Sequence, residues 1–343
     1  MTDTIRTIER QEIPTLRTLT AVILSLLILF VTTSQAMPST TATLRPAVFL
    51  TWPKNSSDYA LIVDKACQEV YVYRRDELSQ PIKTYPCSTG ENRGPKTRKN
   101  DRKTPEGIYF ITSAYEEEEL SPIYGVYAFP LDYPNPFDKM EGKRGYGIWF
   151  HGLNKPLRPN DSNGCIAMNN WDIADLAHYI RIGETPVIIT SRLEMAPSFR
   201  LEAEADLLQT LIGDWREAWQ EKQIERYMSH YHSTFHSERK SWDHWKAHKT
   251  KLAEIYGEIQ IAIQDLWIFQ NDGMVMAIFY QYFKAPGFQS YGKKRLYLRQ
   301  NTTEWKIIGE FYKEAPKKLW PVNAPAPIAR AEEKRASTFY GQP

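Results

Sequence analysis

Two different hydrophobic periods meet between Ser191 and Glu204, and that change constrains the fold more than any other feature of the chain. Before it, β-branched and aromatic runs alternate with turn residues: Tyr59–Val63, Glu69–Tyr73, Gln80–Thr89, Gly107–Ser113, Gly147–His151 and Thr185–Thr190. Runs of this kind bounded by Gly, Pro, Asp and Asn read as strands. The first half is therefore expected to be a mostly-β domain with a helix near Trp171–Ile182. After the change, apolar residues from Leu208 to Tyr231 recur every three or four positions, which predicts a long helix over 206–235 and a second over 242–255. Four strand-like runs follow, at Gln260–Phe269, Met274–Phe283, Gln289–Arg299 and Glu304–Tyr312. Helices ahead of a curved antiparallel sheet make an α+β cone.

The expected organisation is a linker at 37–57, a first domain at 58–192, a charged linker at 193–205, a second domain at 206–313 and a flexible tail at 314–343. Residues 1–36 read as a signal peptide. Arg6, Arg10 and Arg17 precede the apolar run Leu19–Val31, and Ser34-Gln35-Ala36 puts small residues at both cleavage-setting positions. The apolar run is shorter than the roughly 20 residues that cross a bilayer. This predicts export to the periplasm, with no membrane span after processing.

The 43 Lys and Arg against 41 Asp and Glu leave a net charge of only +2, so no nucleic-acid partner is expected. In an exported chain the three cysteines can form disulfides. If the hairpin after Tyr73 turns at Glu77, residues whose numbers sum to 154 face each other, and Cys67 and Cys87 form such a pair. A bridge or two unpaired thiols both fit the sequence. The pairs His232/His236 and His244/His248 stand at i, i+4, but no Cys or carboxylate motif completes a ligand set, so neither metal nor cofactor is expected.

The segment that carries chemistry is His151-Gly152, twelve residues, then Gly164-Cys165. A cysteine nucleophile needs a base and backbone donors for the oxyanion it forms. His151 can serve as base, and peptide N–H groups around Ser162, Asn163, Gly164 and Ile166 can serve as donors. From spacing alone, a buried thiol and a strand-end histidine fit equally well.

Read together, Leu61-Ile-Val-Asp64, Val70-Tyr-Val-Tyr73, Ser88-Thr-Gly90, Lys103-Thr-Pro-Glu-Gly107, Ile148–Gly152 and Ser162-Asn-Gly-Cys-Ile166 resemble the L,D-transpeptidase (YkuD) catalytic domain through about residues 58–191. The resemblance implies a β-sandwich-like domain acting on peptidoglycan stem peptides. It makes Cys165 the nucleophile and His151 the base, oriented by the carbonyl of Gly152. Two positions depart from the family pattern. Asn163 replaces the usual His before Gly-Cys, and Ala167 replaces an Arg two residues after Cys. Asn163 cannot titrate and Ala167 offers no cation, which leaves Lys103, Arg144 and Arg158 as candidate anchors for a substrate carboxylate. Tyr124-Gly125 with Leu131–Asn135 is similar to the divergent branch that holds L,D-carboxypeptidases and L,D-endopeptidases, and makes Tyr124 a further substrate-binding candidate.

The second half, through Trp215–Trp219 and Tyr227–Tyr231, resembles an NTF2-like domain, whose cone is often a binding pocket; a catalytically inert docking or dimerising module is the reading preferred here. The whole reads as a cysteine peptidase that trims a tetrapeptide stem to a tripeptide. Cross-linking transpeptidation, endopeptidase cleavage and a non-catalytic wall-binding protein are the alternatives. If the second half only docks the enzyme, a chain ending near Arg192 is expected to keep its turnover; if it builds part of the active site, turnover is lost.

Overall fold

A computed structural model describes residues 42–237 and 240–321. The expected signal peptide and most of the expected tail lie outside the described residues. Strands β1 (Leu44–Pro46) and β2 (Phe49–Thr51) precede the first domain, which contains β3 (Tyr59–Asp64), β4 (Glu69–Arg74), β5 (Lys83–Pro86), β6 (Gly107–Phe110), β7 (Tyr115–Glu116), β8 (Tyr127–Pro130), β9 (Trp149–His151), β10 (Ile166–Ala167) and β11 (Pro186–Thr190). These form a five-stranded sheet in the order β5-β4-β3-β11-β6 and a four-stranded sheet in the order β10-β9-β8-β7. Strand β12 (Met195–Pro197) pairs with β1 and leads into helix Ser198–Gln220. Strands β13 (Tyr231–Ser237), β14 (Lys240–Ser241), β15 (Gln260–Asn271), β16 (Met274–Ala285), β17 (Phe288–Asn301) and β18 (Glu304–Glu314) join β2 in a seven-stranded sheet, ordered β14-β13-β18-β17-β16-β15-β2. The strand-rich first half and the helix-and-sheet second half are as the sequence predicts.

The period of two along each strand explains how the halves join. On β3, Leu61 and Val63 point into the first domain's own core, with Val187 and Ile189 of β11. The intervening Ala60 and Ile62, with Ile188, point the other way. On β16, Val275, Ala277 and Phe279 enter the cone's core, while Met276 and Ile278 leave it. The two outward faces meet each other, so Ile62, Tyr73, Ile108 and Ile188 share a third core with Trp267, Phe269, Met276 and Tyr297. Strands buried on both faces must be apolar throughout, which is why β3 and β16 read as near-continuous apolar runs. Polar contacts fix the seam: Arg295 pairs with Asp132 at 3.2 Å, and Asn271 Nδ2 donates to Ile189 O at 3.0 Å. A chain ending near Arg192 would expose this face.

Several local expectations are corrected, and of the two readings left open for Cys67 and Cys87 the unpaired thiols hold. The segment 37–57 is not only a linker, because β2 joins the second domain's sheet, with Phe49 opposite Phe269. The segment 193–205 holds β12 and the start of a helix, which buries Leu201 and Ala205 and so begins at Ser198 instead of Asp206. That helix does not run to Phe235. It ends at Gln220, a short helix spans Ile224–Ser229, and Tyr231–Ser237 is a strand. Spacing of four fits both a helix face and a strand face, so buried Tyr231 and Phe235 satisfy either pattern, and His232 and His236 lie on the strand. Finally, β4 and β5 pair with numbers summing to 155, as in Glu69 with Pro86 and Val70 with Tyr85. One residue of slip turns a side chain to the opposite face. Cys67 is accordingly exposed, Cys87 is buried, and both are free thiols. Beyond the expected end of the second domain, Trp320 Nε1 donates to Ala315 O at 2.9 Å, so the start of the segment read as a tail is folded back.

Inside the cone a charge cluster is buried among aromatic rings. Lys294 pairs with Glu310, which also accepts the Tyr231 hydroxyl at 2.5 Å. The Lys249 ammonium lies 4.2 Å from the Trp219 ring centroid and 4.8 Å from that of Trp245. Burial drives Lys249 down to about 7, against the attraction of Glu310.

Candidate active site

Strands β9 and β10 run parallel, with Ile166 opposite Phe150 and Ala167 opposite His151. This register puts Cys165, just ahead of β10, beside Trp149 and two residues short of His151. The His151 side chain is buried, and its Nδ1 lies 2.7 Å from the carbonyl oxygen of Gly152. A carbonyl only accepts, so Nδ1 carries the proton and Nε2 is left as the basic nitrogen. Burial lowers the His151 pKa, while the bond to Gly152 opposes that shift.

Cys165 is partly exposed, and Sγ donates to Gly147 O at 3.4 Å. Burial pushes the thiol upward; a hydrogen bond from the Trp149 backbone and the charge of Lys96 pull it down. Both shifts, the thiol's upward and the imidazole's downward, act in favour of the uncharged forms.

The nucleophile loop is shaped by motifs that look unremarkable in sequence. Gly164 has φ +122°, and a Cβ there would stand 2.6 Å from Lys103 O. Thr104 Oγ1 donates to Gly164 O at 3.0 Å and accepts the Gly90 N–H at 2.8 Å, so Ser88-Thr89-Gly90 and Lys103-Thr104 together cradle the loop. Ser162 Oγ accepts the Gly164 N–H at 3.1 Å and donates to Cys165 O at 2.7 Å. The Gly164 N–H, expected as an oxyanion donor, is thus already engaged, and Ser162 closes the loop on itself. Ile166 is buried in the domain core and anchors the loop, while Asn163 is exposed at its tip.

Around His151 the wall is aromatic. The Tyr124 ring lies 5.1 Å from the imidazole and 5.0 Å from Trp149, and Tyr115 stacks on Trp149 at 5.8 Å. A Cβ on Gly152 or Gly125 would collide with Asn170 Oδ1, so Asn170 backs the turn that holds His151. Tyr124 therefore adjoins His151. Lys103 lies against the nucleophile loop through its backbone, and Arg144 donates its N–H to Thr97 O at 2.8 Å, which brings it to the same end of the cleft. Arg158 is exposed in the following loop, beside Asp161.

Spacing missed Lys96 and Asp101, which look like ordinary surface charges in a polar loop. They form a buried pair at 2.6 Å. Asp101 also accepts the N–H groups of Thr97, Arg98 and Lys103 at 2.9, 3.0 and 3.2 Å. Ala167, opposite His151, is buried and places a methyl where the family pattern has a cation. Among the described residues no three His, Cys, Asp or Glu side chains are grouped to hold a metal.

Residues 58–189 match the family described as L,D-transpeptidase catalytic domain (YkuD), and residues 207–311 match the Cds6 C-terminal NTF2-like domain. YafK of Escherichia coli (strain K12) is 30% identical over 114 residues, which is 33% of this chain and 42% of that protein. The chain thus aligns with less than half of that relative's length. The structure of Bd1075 from Bdellovibrio bacteriovorus is similar with a TM-score of 0.70 at 31% identity, covering 80% of this chain and 99% of that one. The helical cell shape determining protein Pgp2 from Campylobacter jejuni is similar with a TM-score of 0.62 at 25% identity, over 76% of this chain and 96% of that one.

Proposed function

The chain belongs to the L,D-transpeptidase (YkuD) family, whose members are cysteine-dependent enzymes that modify peptidoglycan, and we propose that it is an exported L,D-carboxypeptidase trimming tetrapeptide stems to tripeptides. The observation that carries the reading is the His151–Gly152 bond on the strand beside Cys165, which fixes the tautomer that leaves Nε2 free as the base. In the proposed sequence Sγ turns away from Gly147 O and Nε2 takes its proton as sulfur bonds to the scissile carbonyl carbon. The carbonyl oxygen becomes an oxyanion held by backbone N–H groups of the nucleophile loop. Collapse breaks the C–N bond, and the imidazolium gives its proton to the leaving D-alanine amine. Nε2 then deprotonates a water that attacks the thioester, which releases the tripeptide and returns the proton to sulfur.

Water is favoured over a second amine because Ala167 supplies no charged subsite next to the base. A transpeptidase must hold a second stem peptide in line with the thioester, which needs shaped and charged contacts. Purified protein given a disaccharide tetrapeptide is expected to yield the tripeptide and free D-alanine, with Cys165→Ala inactive. Cross-linked dimers as the main product would establish transpeptidation, and release of a wall-linked peptide with the tetrapeptide intact would establish an endopeptidase. A Cys165 thiol that is never acylated would leave a wall-binding protein. The second domain, packed on the first through the shared core, serves in this reading to dock the enzyme on its polymer.

A further inference from the structure

The cleft has two chemically different ends, ordered along the segment that becomes β9. Gly145 lies against the Lys96 side chain and the Lys99 backbone, and Gly147 O holds the Cys165 sulfur. Farther along, His151 meets the Tyr124 ring and Gly152 abuts Asn170. The end beyond Cys165 is therefore basic, and the end beyond His151 is aromatic.

At the basic end the loop 91–103 carries Arg93, Lys96, Arg98, Lys99, Arg102 and Lys103 against Glu91 and Asp101 alone. Both acids are engaged: Asp101 with Lys96 and three backbone N–H groups, Glu91 with Arg102 at 2.7 Å. Among the described residues no carboxylate pairs with Arg98, Lys103 or Arg144. The loop is also preorganised. It closes around the buried Asp101 carboxylate with Asn100 at φ +60° and Arg102 at φ +52°, backbone conformations that side-chain-bearing residues seldom adopt. A polar concavity of about 450 Å³ opens between Arg98, Arg102 and Lys103, with the already paired Glu91 and Asp101 also in its wall and Arg144 outside it. A rim of unpaired cations held in a fixed loop attracts anions without first having to be ordered.

In the proposed reaction His151 protonates the leaving amine, so the leaving side of the substrate lies at the aromatic end and the acyl side at the basic end. We infer that Arg98, Lys103 and Arg144 form a subsite for carboxylates on the acyl side of the scissile bond, an inference that rests on the acyl-transfer reading above. The rim lies at the opposite end of the cleft from Ala167, which stands across from His151, and it sets the direction in which a stem peptide enters.

The test crosses rim variants with substrate charge. Two disaccharide tetrapeptides, one with free acyl-side carboxylates and one with them amidated, are given to the wild type and to Arg98→Gln, Lys103→Gln, Arg144→Gln and the triple variant. For the free acid, the triple variant is expected to lose about tenfold or more in kcat/KM, mainly through KM, with a weaker dependence on salt. The amidated substrate is expected to be poor with the wild type and to lose little more with the variants. Equal losses on both substrates, or none on either, would overturn the inference. Calorimetric binding of both peptides to Cys165→Ala, with and without the rim substitutions, separates this outcome from a failure of the proposed reaction. If the wild type turns over neither peptide, rim-dependent preference for the free acid in binding still supports the subsite, and its absence refutes it.

Discussion

Replacing Gly164 by Ala tests whether the nucleophile loop is held as rigidly as its contacts imply. The new Cβ would stand 2.6 Å from Lys103 O, whereas a carbon and a carbonyl oxygen ordinarily approach to about 3.3 Å. Lys103 cannot retreat freely, because its N–H is bonded to Asp101 and its neighbour Thr104 holds both Gly90 and Gly164. The positive φ adds backbone strain of about 1–3 kcal/mol, and the overlap about 1–3 kcal/mol more. A combined loss of about 2–6 kcal/mol lowers the melting temperature by about 4–12 °C at this chain size. Gly183→Ala supplies the control, since Gly183 also has positive φ, +74°, but nothing within 4 Å of its Cβ position. That variant carries only the backbone strain, about 1–2 kcal/mol. If the loop yields instead, Cys165 moves with it, and a displacement of about 1 Å reduces turnover by about a hundredfold. Thermal denaturation and tetrapeptide turnover of both variants read the two arms. Melting indistinguishable from Gly183→Ala together with unchanged turnover would refute the argument.

Three further outcomes are expected. Alkylation of Cys165 by iodoacetamide should climb steadily with pH through the neutral range, because burial holds the thiol up and the imidazole down; a plateau between pH 5 and 7 would instead reveal a preformed thiolate–imidazolium pair. Lys249→Met should raise the melting temperature relative to wild type more at pH 6 than at pH 9. The folded-state pKa of Lys249 is depressed to about 7, so the unfolded chain binds the extra proton between there and the ordinary lysine range, and the penalty of the buried charge is full below pH 7 and fades above it. An equal shift at both pH values would contradict that assignment. Calorimetry of the full chain should show one cooperative transition, Phe269→Ala should lower it by about 3–5 kcal/mol of stability, and a chain ending at Arg192 should aggregate; two separable transitions would show that the shared core does not couple the halves.

The candidate site was legible in the sequence only through the set of motifs that resembles the family. His151 is next to the carbonyl that orients it, and Ser162, Gly164 and Cys165 lie within one turn of chain, but the spacing between His151 and Cys165 fits a buried thiol and a strand-end histidine equally well. The two-domain division was legible because the period of the apolar pattern changes where the architecture changes. The tertiary structure decided everything that depends on pairing between distant segments. It set the register that separates Cys67 from Cys87, the strand at Tyr231–Ser237 whose spacing of four also suits a helix, and the crossing of Phe49 into the second domain's sheet. It also decided that Lys96 and Asp101 are buried beside the nucleophile loop and that Ile62 and Met276 share a core. A side chain's face follows from its own strand, but what covers that face is fixed by the packing of segments remote in the chain.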